Sequence, residues 1–173
     1  MKKLLLTFVF SLVSFCCFSK SFSLQVVQKN TPGDQVFDAS FVVEQTILDH
    51  FYDRGMIVSN NAVLISKNDA AQDKTDLRRS MIEAKVGCMD LFIKLCLNYS
   101  VLDSANPTAV LLSNIKSADL EIVSLEENKT ICKGKFTPPA LTDMNNNRSG
   151  VEDFAADIAN KIQAELAERG GAI

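Results

Sequence analysis

The sequence predicts an α+β domain with an α/β-like start, in which a mixed β-sheet of about five strands carries three packed helices. Strand-like and helix-like segments follow one another in the order strand, helix, strand, helix, three strands, helix. Each helix-like segment has one apolar stripe, which a sheet can bury. The opening strand–helix–strand unit favours a parallel pair with a right-handed crossover, and the three later strands favour an antiparallel meander.

The amino terminus has the three parts of a secretory signal sequence. Lys2 and Lys3 supply positive charge, and residues 4–18 form an apolar run broken by one threonine and two serines. This run is too short and too polar for a membrane-spanning helix, which needs about 20 apolar residues. The sequence therefore predicts an exported protein, with an uncut membrane anchor as an alternative.

The end of the signal sequence offers a cleavage position. A cut after Ser21 places small side chains, Ser19 and Ser21, where the peptidase requires them, and Ser23 offers a neighbouring solution. We therefore expect residues 1–21 to form a signal peptide and residues 22–173 to form a single α+β domain.

Cys16 and Cys17 are candidate lipidation sites, which leaves a second interpretation open. A lipidated cysteine follows a small residue, with a larger apolar residue further back. Cys16 follows the large Phe15, whereas Cys17 follows a small residue but has Ser14 where a leucine is usual. We expect membrane contact only if one of these cysteines is lipidated. The protein is then outer-membrane-associated, and it is otherwise periplasmic.

Charge and cysteine content narrow the class of protein. The chain has 18 basic and 21 acidic residues and a net charge of −3, so nonspecific binding to nucleic acid is not expected. Beyond the signal, the cysteines are Cys88, Cys96 and Cys132, an odd number without a CxxC motif. One disulfide can form in an oxidising compartment, but the pattern favours buried small apolar side chains at all three positions.

Residues 23–28 form the first predicted strand, and a turn follows at residues 30–33. A helix then begins at Asp38 or Ser40, either of which can cap it. It ends at Gly55, because glycine adopts the left-handed conformation that closes a helix. The apolar residues of this helix recur on one face: Phe41, Val43, Ile47, Leu48 and Phe51.

Residues 56–59 form the second predicted strand, with a continuation through residue 66 left open. Residues 68–75 are polar and predict a loop. A shorter helix follows, with Asp73 or Thr75 as its cap and Gly87 as its end. Its apolar face consists of Leu77, Met81 and Ile82.

Three strands follow in the middle of the chain. Residues 91–99 alternate with a period of two, and apolar residues in both alternating sets indicate that both faces are partly covered. Residues 108–125 predict a long strand. Residues 130–136 predict the next strand, antiparallel to it, with a bulge at Gly134.

The last helix is predicted to begin with a capping box, in which the side chains of Ser149 and Glu152 each accept a hydrogen bond from the backbone amide of the other residue. Gly170 and Gly171 end this helix. Its apolar stripe consists of Val151, Phe154, Ala155, Ile158, Ile162 and Leu166.

The only histidine, His50, lies on the first long helix. A small secreted hydrolase that uses His50 with Asp49, Asp53 or Asp143 is one hypothesis. However, no serine or cysteine motif accompanies it, and one histidine cannot form a multi-histidine zinc site. The helical spacing places His50 off the apolar stripe, so the pattern favours a solvated face.

The loop that begins at Asp143 resembles part of a calcium site, because Asp143, Asn145 and Asn147 fit its first three ligand positions. Arg148 then stands where glycine is required and Phe154 where the bidentate glutamate is required. The pattern therefore favours a solvated loop leading into the last helix, and we expect no metal and no cofactor.

A second acidic group, Asp69, Asp73 and Asp76, lies at the amino terminus of the second helix, where negative charge is favourable. The sequence contains no glycine-rich phosphate loop, no GxSxG and no HExxH. It therefore indicates no catalytic residue.

The order of elements resembles a group of bacterial envelope domains: the amino-terminal domain of TolB, the penicillin-binding-protein activator lipoproteins and the curli-secretion proteins. FVVEQTILDHFYDRGMIVSN is similar to their helix-then-strand start, and VGCMDLFIKLCLNYS to their Gly-small-x-Asp step into a central strand. LEIVSLEENKTICKGKF resembles their later paired strands, and DFAADIANKIQAEL their closing helix. The resemblance implies a noncatalytic domain that binds an envelope protein partner.

The leading hypothesis is therefore an exported, noncatalytic binding or accessory module of the bacterial cell envelope, with a partner contacted through a sheet edge or a loop. The alternatives are the secreted hydrolase and a self-associating structural envelope protein.

Overall fold

Three helices pack on one mixed β-sheet, as the sequence predicts. The computed structural model describes residues 20–67, 70–100, 104 and 106–170, without the side chains of residues 169 and 170. The strands are β1 (Phe22–Lys29), β2 (Val58–Asn60), β3 (Leu64–Ile65), β4 (Leu91–Tyr99), β5 (Ile115–Ser124) and β6 (Lys129–Phe136). The helices are α1 (Asp38–Tyr52), α2 (Ala70–Val86) and α3 (Arg148–Gly170).

The strand order is β2–β1–β4–β5–β6, and β3 pairs with β1 beyond the end of β2. The pairs of β1 with β2, β3 and β4 are parallel, whereas β4–β5 and β5–β6 are antiparallel. The parallel start and the antiparallel meander are therefore confirmed. The sheet has six strands because the predicted second strand is divided into β2 and β3.

One face of the sheet, here called the inner face, is covered by α1 and α3, which also pack against each other. Fully buried side chains alternate along its strands, as in Phe22 and Leu24 of β1 and Ile93 and Leu95 of β4. The predicted stripe of α3 packs against them and is buried along its whole length. Val43, Ile47 and Phe51 of α1 are likewise buried.

Among the described residues, only α2 covers the opposite face, here called the outer face, and it covers this face only in part. Ser80 and Ala84 are the buried residues of this helix. The Ser80 hydroxyl donates a hydrogen bond to Gln25 Oε1 of β1 at 2.7 Å, and Ala84 packs on Phe92 and Val123. The small contact side chains let α2 approach the sheet closely, but they leave much of the helix exposed.

The helix starts differ from those expected. Phe37 is the N-cap of α1 and makes no side-chain cap, so neither Asp38 nor Ser40 caps the helix. Helix α2 begins at Ala70, which places Asp73 in its first turn and overturns the loop predicted for residues 70–75.

The start of α3 also differs from the prediction. Because α3 begins at Arg148, Ser149 lies inside the helix and the predicted capping box is wrong. The Asn147 side chain instead accepts a hydrogen bond from the Gly150 amide at 3.2 Å. Glu152 pairs with Arg148.

The predicted strand at residues 108–125 is shorter than expected. A 3₁₀ turn occupies Leu112–Asn114, and β5 begins only at Ile115. The buried Asn114 amide donates to the carbonyls of Asn106, Pro107 and Ala109. These bonds fold the preceding segment back on itself, so it cannot lie along β4.

The irregularity of the β5–β6 pair lies at Ile131 and not at Gly134. Val123 pairs with Thr130 and Ile122 with Cys132, which leaves Ile131 as the extra residue. Gly134 stays in register opposite Leu120.

The three cysteines of the domain occupy different environments. Cys96 is buried on the outer face between Val27 and Asp119, and burial raises the pKa of its thiol. Cys132 is half-buried and packs against the inner-face core. Cys88 is exposed at the end of α2, so the expectation of a buried side chain is wrong there. Cys96 and Cys132 cannot join, because the sheet separates them.

The first described residues are already part of the fold. Ser21 is buried, and its amide and hydroxyl both donate to Asp90 Oδ2, at 2.7 and 2.8 Å. The signal-peptide boundary at residue 21 stays a prediction. Cys16 and Cys17 lie outside the described residues, so their lipidation also stays a prediction.

Candidate binding surface

An open groove of about 270 Å³ lies on the outer face, between α2 and strands β4–β6. Its lining combines apolar side chains from α2 and the sheet with polar side chains from these strands and from the β5–β6 turn. The apolar residues are Leu77, Met81, Phe92 and Val123, and the polar ones are Lys94, Glu121, Asn128 and Thr130. Apolar area with a few fixed polar groups is the usual composition of a binding surface.

A row of charges crosses three strands beside this groove. Glu121 of β5 lies opposite Lys94 of β4 and Lys133 of β6. Its carboxylate accepts from Lys94 Nζ at 2.9 Å, lies 3.3 Å from Lys133 Nζ, and accepts from the Thr130 hydroxyl at 2.9 Å. The carboxylate is thus fixed in position, while the Lys133 side chain remains 71% exposed.

The pKa values of this row reflect the pairing. Burial alone would raise the pKa of Glu121, but the hydrogen bonds from Lys94 and Thr130 and the charge of Lys94 lower it below its usual value. Burial alone would lower the pKa of Lys94, and its hydrogen bond and neighbouring negative charges raise it instead. Both groups are therefore charged at neutral pH.

Strand β6 forms the edge of the sheet and pairs only with β5 among the described strands. Lys129, Lys133 and Lys135 are exposed along it, and the bulge at Ile131 interrupts its regular pairing. Lysines and bulges on an edge oppose pairing with a like-charged strand. The edge nevertheless presents backbone groups that an acidic extended segment could pair with.

Among the described residues, His50 makes no hydrogen bond to Asp49, Asp53 or Asp143, the carboxylates of the hydrolase hypothesis. His50 is half-buried, and its Nε2 lies 2.9 Å from Gln163 Oε1 of α3. It therefore does not lie on a solvated face, and its ring nitrogen meets an amide instead of a carboxylate. Asp49 accepts a hydrogen bond from Gln45, Asp53 is exposed after α1, and Asp143 lies in the loop before α3.

The loop of the calcium hypothesis uses its amides to form turns. Asn145 Oδ1 accepts from the Thr142 amide at 2.7 Å, and Asn147 Oδ1 accepts from the Gly150 amide. Asp143 is exposed. In the described part of the chain, no group of three metal-binding side chains occurs.

Asp73 and Asp76 line a small cavity of about 50 Å³ under α2, together with Lys29, Lys94 and Cys96. The Ser66 hydroxyl donates to Asp73 at 2.5 Å. Asp76 accepts from Gln72 at 2.9 Å. Asp69 lies outside the described residues. Asp73 therefore joins the start of α2 to the segment after β3, whereas the hydrogen bond of Asp76 lies within the helix.

The sequence analysis did not single out Lys94, Glu121 or Lys133. Each stands at a polar position in an alternating strand, which is the only sequence signal that they share. Alternation shows which residues share a face of one strand, but not which residue of the next strand lies opposite. The sequence therefore does not show the strand register that brings these three residues together.

The described residues contain no helix with the length and apolar character to cross a membrane. No curated protein is significantly similar to this chain in sequence. A family model described as "Uncharacterised protein" matches residues 21–167.

Several solved structures are similar to this chain. Lipoprotein GNA1162 from Neisseria meningitidis has 13% identity and a TM-score of 0.48, with 84% of this chain and 99% of that chain covered. A PelC dodecamer from Paraburkholderia phytofirmans has 10% identity and a TM-score of 0.46, with 86% of each chain covered. The C-terminal domain of LpoB from Salmonella enterica has 12% identity and a TM-score of 0.36, with 73% and 89% covered.

A lipoprotein and an LpoB domain are thus among the similar structures. The resemblance to TolB and to the curli-secretion proteins stays a prediction.

Proposed function

The chain belongs to the family whose model matches residues 21–167, and we propose that it is an exported, noncatalytic binding module of the bacterial cell envelope that acts through a protein partner. The observation that carries this proposal is the groove beside the edge strand β6 on the outer face. It combines apolar side chains, a fixed charge row and an open strand edge within one surface.

The partner would add an extended segment to β6 and place apolar side chains in the groove. Main-chain hydrogen bonds give affinity in this mode of recognition, and alternate side chains give specificity. The exposed lysines of β6 favour an acidic segment, because opposite charges on neighbouring strands attract and like charges repel.

Site-specific photo-crosslinking in the host tests this proposal. A photoreactive residue at position 133 or 135 of β6 should give an adduct of one defined mass. The matched control is position 157, which is exposed on α3 and should give none. Equal labelling at all three positions, or no adduct at β6, would contradict a partner at this edge.

The location of the protein is a second part of the proposal. We propose that the signal directs export to the periplasm and that a lipid on Cys17 or Cys16, if attached, holds the domain at the outer membrane. The intact mass of the protein from its host tests this, with Cys17→Ser and Cys16→Ser variants alongside. Acyl mass that one variant loses identifies the lipidated cysteine. An unmodified start between Lys20 and Leu24 would show a protein released from the membrane.

A further inference from the structure

Helix α1 exposes an apolar stripe on the side away from the sheet. Phe41, Leu48 and Tyr52 are spaced by seven and four residues, which places them on one side of a helix. Phe41 is 49% exposed and Tyr52 is 72% exposed, while Leu48 is half-buried. Ile57, which is 62% exposed, follows soon after the helix. The sequence pattern assigned Phe41 to the buried face, so the structure corrects that assignment.

An acidic ridge runs beside this stripe. Asp38, Asp49 and Asp53 are all exposed, and α1 itself contains no lysine or arginine. The next basic residue, Arg54, donates its guanidinium to the His50 carbonyl at 2.6 Å. The exposed surface of α1 is therefore apolar with negative charge along one side.

Helix α2 has the same arrangement with the opposite charge. Ile82 and Val86 are 53% and 79% exposed, and together with the exposed Thr75 they repeat the spacing of seven and four residues. A basic ridge runs beside them and consists of Lys74, Arg78 and Lys85, all exposed. This side of α2 points away from the sheet and is distinct from the side with Leu77, which lines the groove.

The two helix surfaces cannot meet within one molecule, because α1 lies on the inner face of the sheet and α2 on the outer face. They can meet between two molecules. We propose that copies of this chain associate head to tail, with the α1 surface of one copy docked on the α2 surface of the next. The two stripes have equal spacing, with Thr75 of α2 as the one polar member, and they would pack together while the acidic and basic ridges face each other.

The helix geometry also gives the direction of docking. At 3.6 residues per turn, the acidic ridge of α1 lies about 80–90° to one side of its stripe, and the basic ridge of α2 lies about 80° to the opposite side. Two helices packed stripe to stripe bring such ridges together only when their axes run in the same direction. In an antiparallel arrangement, the acidic ridge would lie on one side of the contact and the basic ridge on the other.

A head-to-tail contact uses two different surfaces on each copy. A pair of copies therefore keeps one free α1 surface and one free α2 surface, and further copies can extend it into a ring or a filament. Self-association through β6 is disfavoured, because its lysines would face one another. The proposal goes beyond the proposed function. It concerns surfaces other than the groove and β6, so the test of self-association is independent of the test for a partner at β6.

Two charge substitutions test it in the exported chain purified from its host, followed by sedimentation velocity. Tyr52→Lys blocks the α1 surface, which faces the basic ridge of α2, and Val86→Glu blocks the α2 surface, which faces the acidic ridge of α1, because each places a charge in an apolar contact beside charges of the same sign. Met144→Lys is the matched control, since Met144 is 89% exposed in the loop before α3. Circular dichroism confirms that every variant is folded.

We expect concentration-dependent association of the unmodified chain and of the control, weakened by added salt. Each blocking variant should lose association by about tenfold or more, given an unpaired charge at the contact. An equimolar mixture of the two variants should stop at a 1:1 dimer, because it retains only one intact contact.

Three results would overturn the proposal. The unmodified chain could stay monomeric at every concentration, the mixture could fail to form a dimer, or either variant alone could associate as strongly as the control.

Discussion

Gln28 shows how single polar side chains fix this fold. It is fully buried in β1, and its Oε1 accepts hydrogen bonds from the Phe37 amide at 2.8 Å and the Ser40 hydroxyl at 3.0 Å. Its Nε2 donates to Thr31 and to the Gln35 carbonyl. The connection to α1 is thus held from the neighbouring strand. The sequence pattern at the start of α1 could not predict these hydrogen bonds, because capping rules consider only residues next to the helix start.

Gly150 occupies a position that no other residue can fill without movement. A Cβ at Gly150 would lie 1.8 Å from the Asn145 carbonyl oxygen. We expect Gly150→Ala to lower the free energy of unfolding by about 1–3 kcal/mol, because the backbone before α3 must shift. Urea unfolding measures this. Gly134→Ala is the control, since its Cβ would make ordinary contacts of 3.5 Å or more. Equal effects at both glycines would contradict the prediction.

Glu44 is a buried carboxyl whose Oε1 has no partner in the described part of the chain. Burial raises the pKa of Glu44, although a hydrogen bond with Asn60 partly opposes this. Since its pKa is higher in the folded state than in the unfolded state, the charged form costs stability at neutral pH, and this cost disappears as the pH falls through the folded-state pKa.

We therefore expect Glu44→Gln to raise the free energy of unfolding at neutral pH by about 1 kcal/mol. The gain should shrink in acid, where Glu44 is already neutral. Urea unfolding near pH 7 and near pH 4 checks the sign. Glu83→Gln on the exposed side of α2 is the control. A gain that does not change with pH would show that the charge of Glu44 is not its cause.

At the level of elements, local periodicity correctly predicted the elements that bury most of their apolar side chains. Residues 91–99 form β4 as expected, and the stripe of α3 is buried as expected. The prediction failed at residues 108–114, where the Asn114 side chain donates hydrogen bonds to carbonyls five to eight residues earlier, and these bonds favour a turn over a strand. It also failed at the start of α2, because that helix buries little and its apolar pattern is weak. For the same reason the apolar face predicted for this helix is wrong at Ile82, which is 53% exposed, whereas Leu77 and Met81 pack towards the sheet.

The end of α2 has a conformation that suits glycine better than the residue present. Gly87 follows the last helical residue as predicted, but the residue with positive φ is Cys88, at 56°. We expect Cys88→Gly to raise the free energy of unfolding by about 0.5–1 kcal/mol, because glycine adopts this conformation without steric cost. Thermal unfolding under reducing conditions measures the change. Cys88→Ser removes the thiol but keeps a Cβ, so a similar gain in that variant would refute the backbone explanation.

At the level of the whole molecule, the two faces of the sheet have different roles. The inner face carries the main core, with α1 and α3 packed on Phe22, Ile93 and Ile122. The outer face has a small apolar cluster under α2 and leaves Lys94 and Glu121 beside an open groove. Packing on the inner face therefore contributes most of the stability. Residues of the outer-face groove can be substituted, with a change in binding, without disrupting that core.

The amino-terminal boundary of the domain can be tested through Ser21. A chain that starts at Phe22 lacks both hydrogen bonds from Ser21 to Asp90 and the bond from the Leu91 amide to the Ser21 carbonyl. We expect it to be less stable than a chain that starts at Lys20 by about 1–3 kcal/mol, because Asp90 loses its donors. Urea unfolding of both chains checks this. Ser21→Ala in the longer chain isolates the side chain, and equal stability of all three would place Ser21 outside the folding unit.

The order of the elements, the fold class and the buried stripe of α3 follow from periodicity, which depends only on neighbouring residues. For α1, periodicity correctly predicted that Val43, Ile47 and Phe51 are buried, but Phe41 faces outward. The tertiary structure was needed to show that Glu121 meets Lys94 and Lys133 and that His50 meets Gln163. The reason is physical: such contacts depend on strand register and on the rotation of each helix against the sheet, and both are set by packing between distant segments.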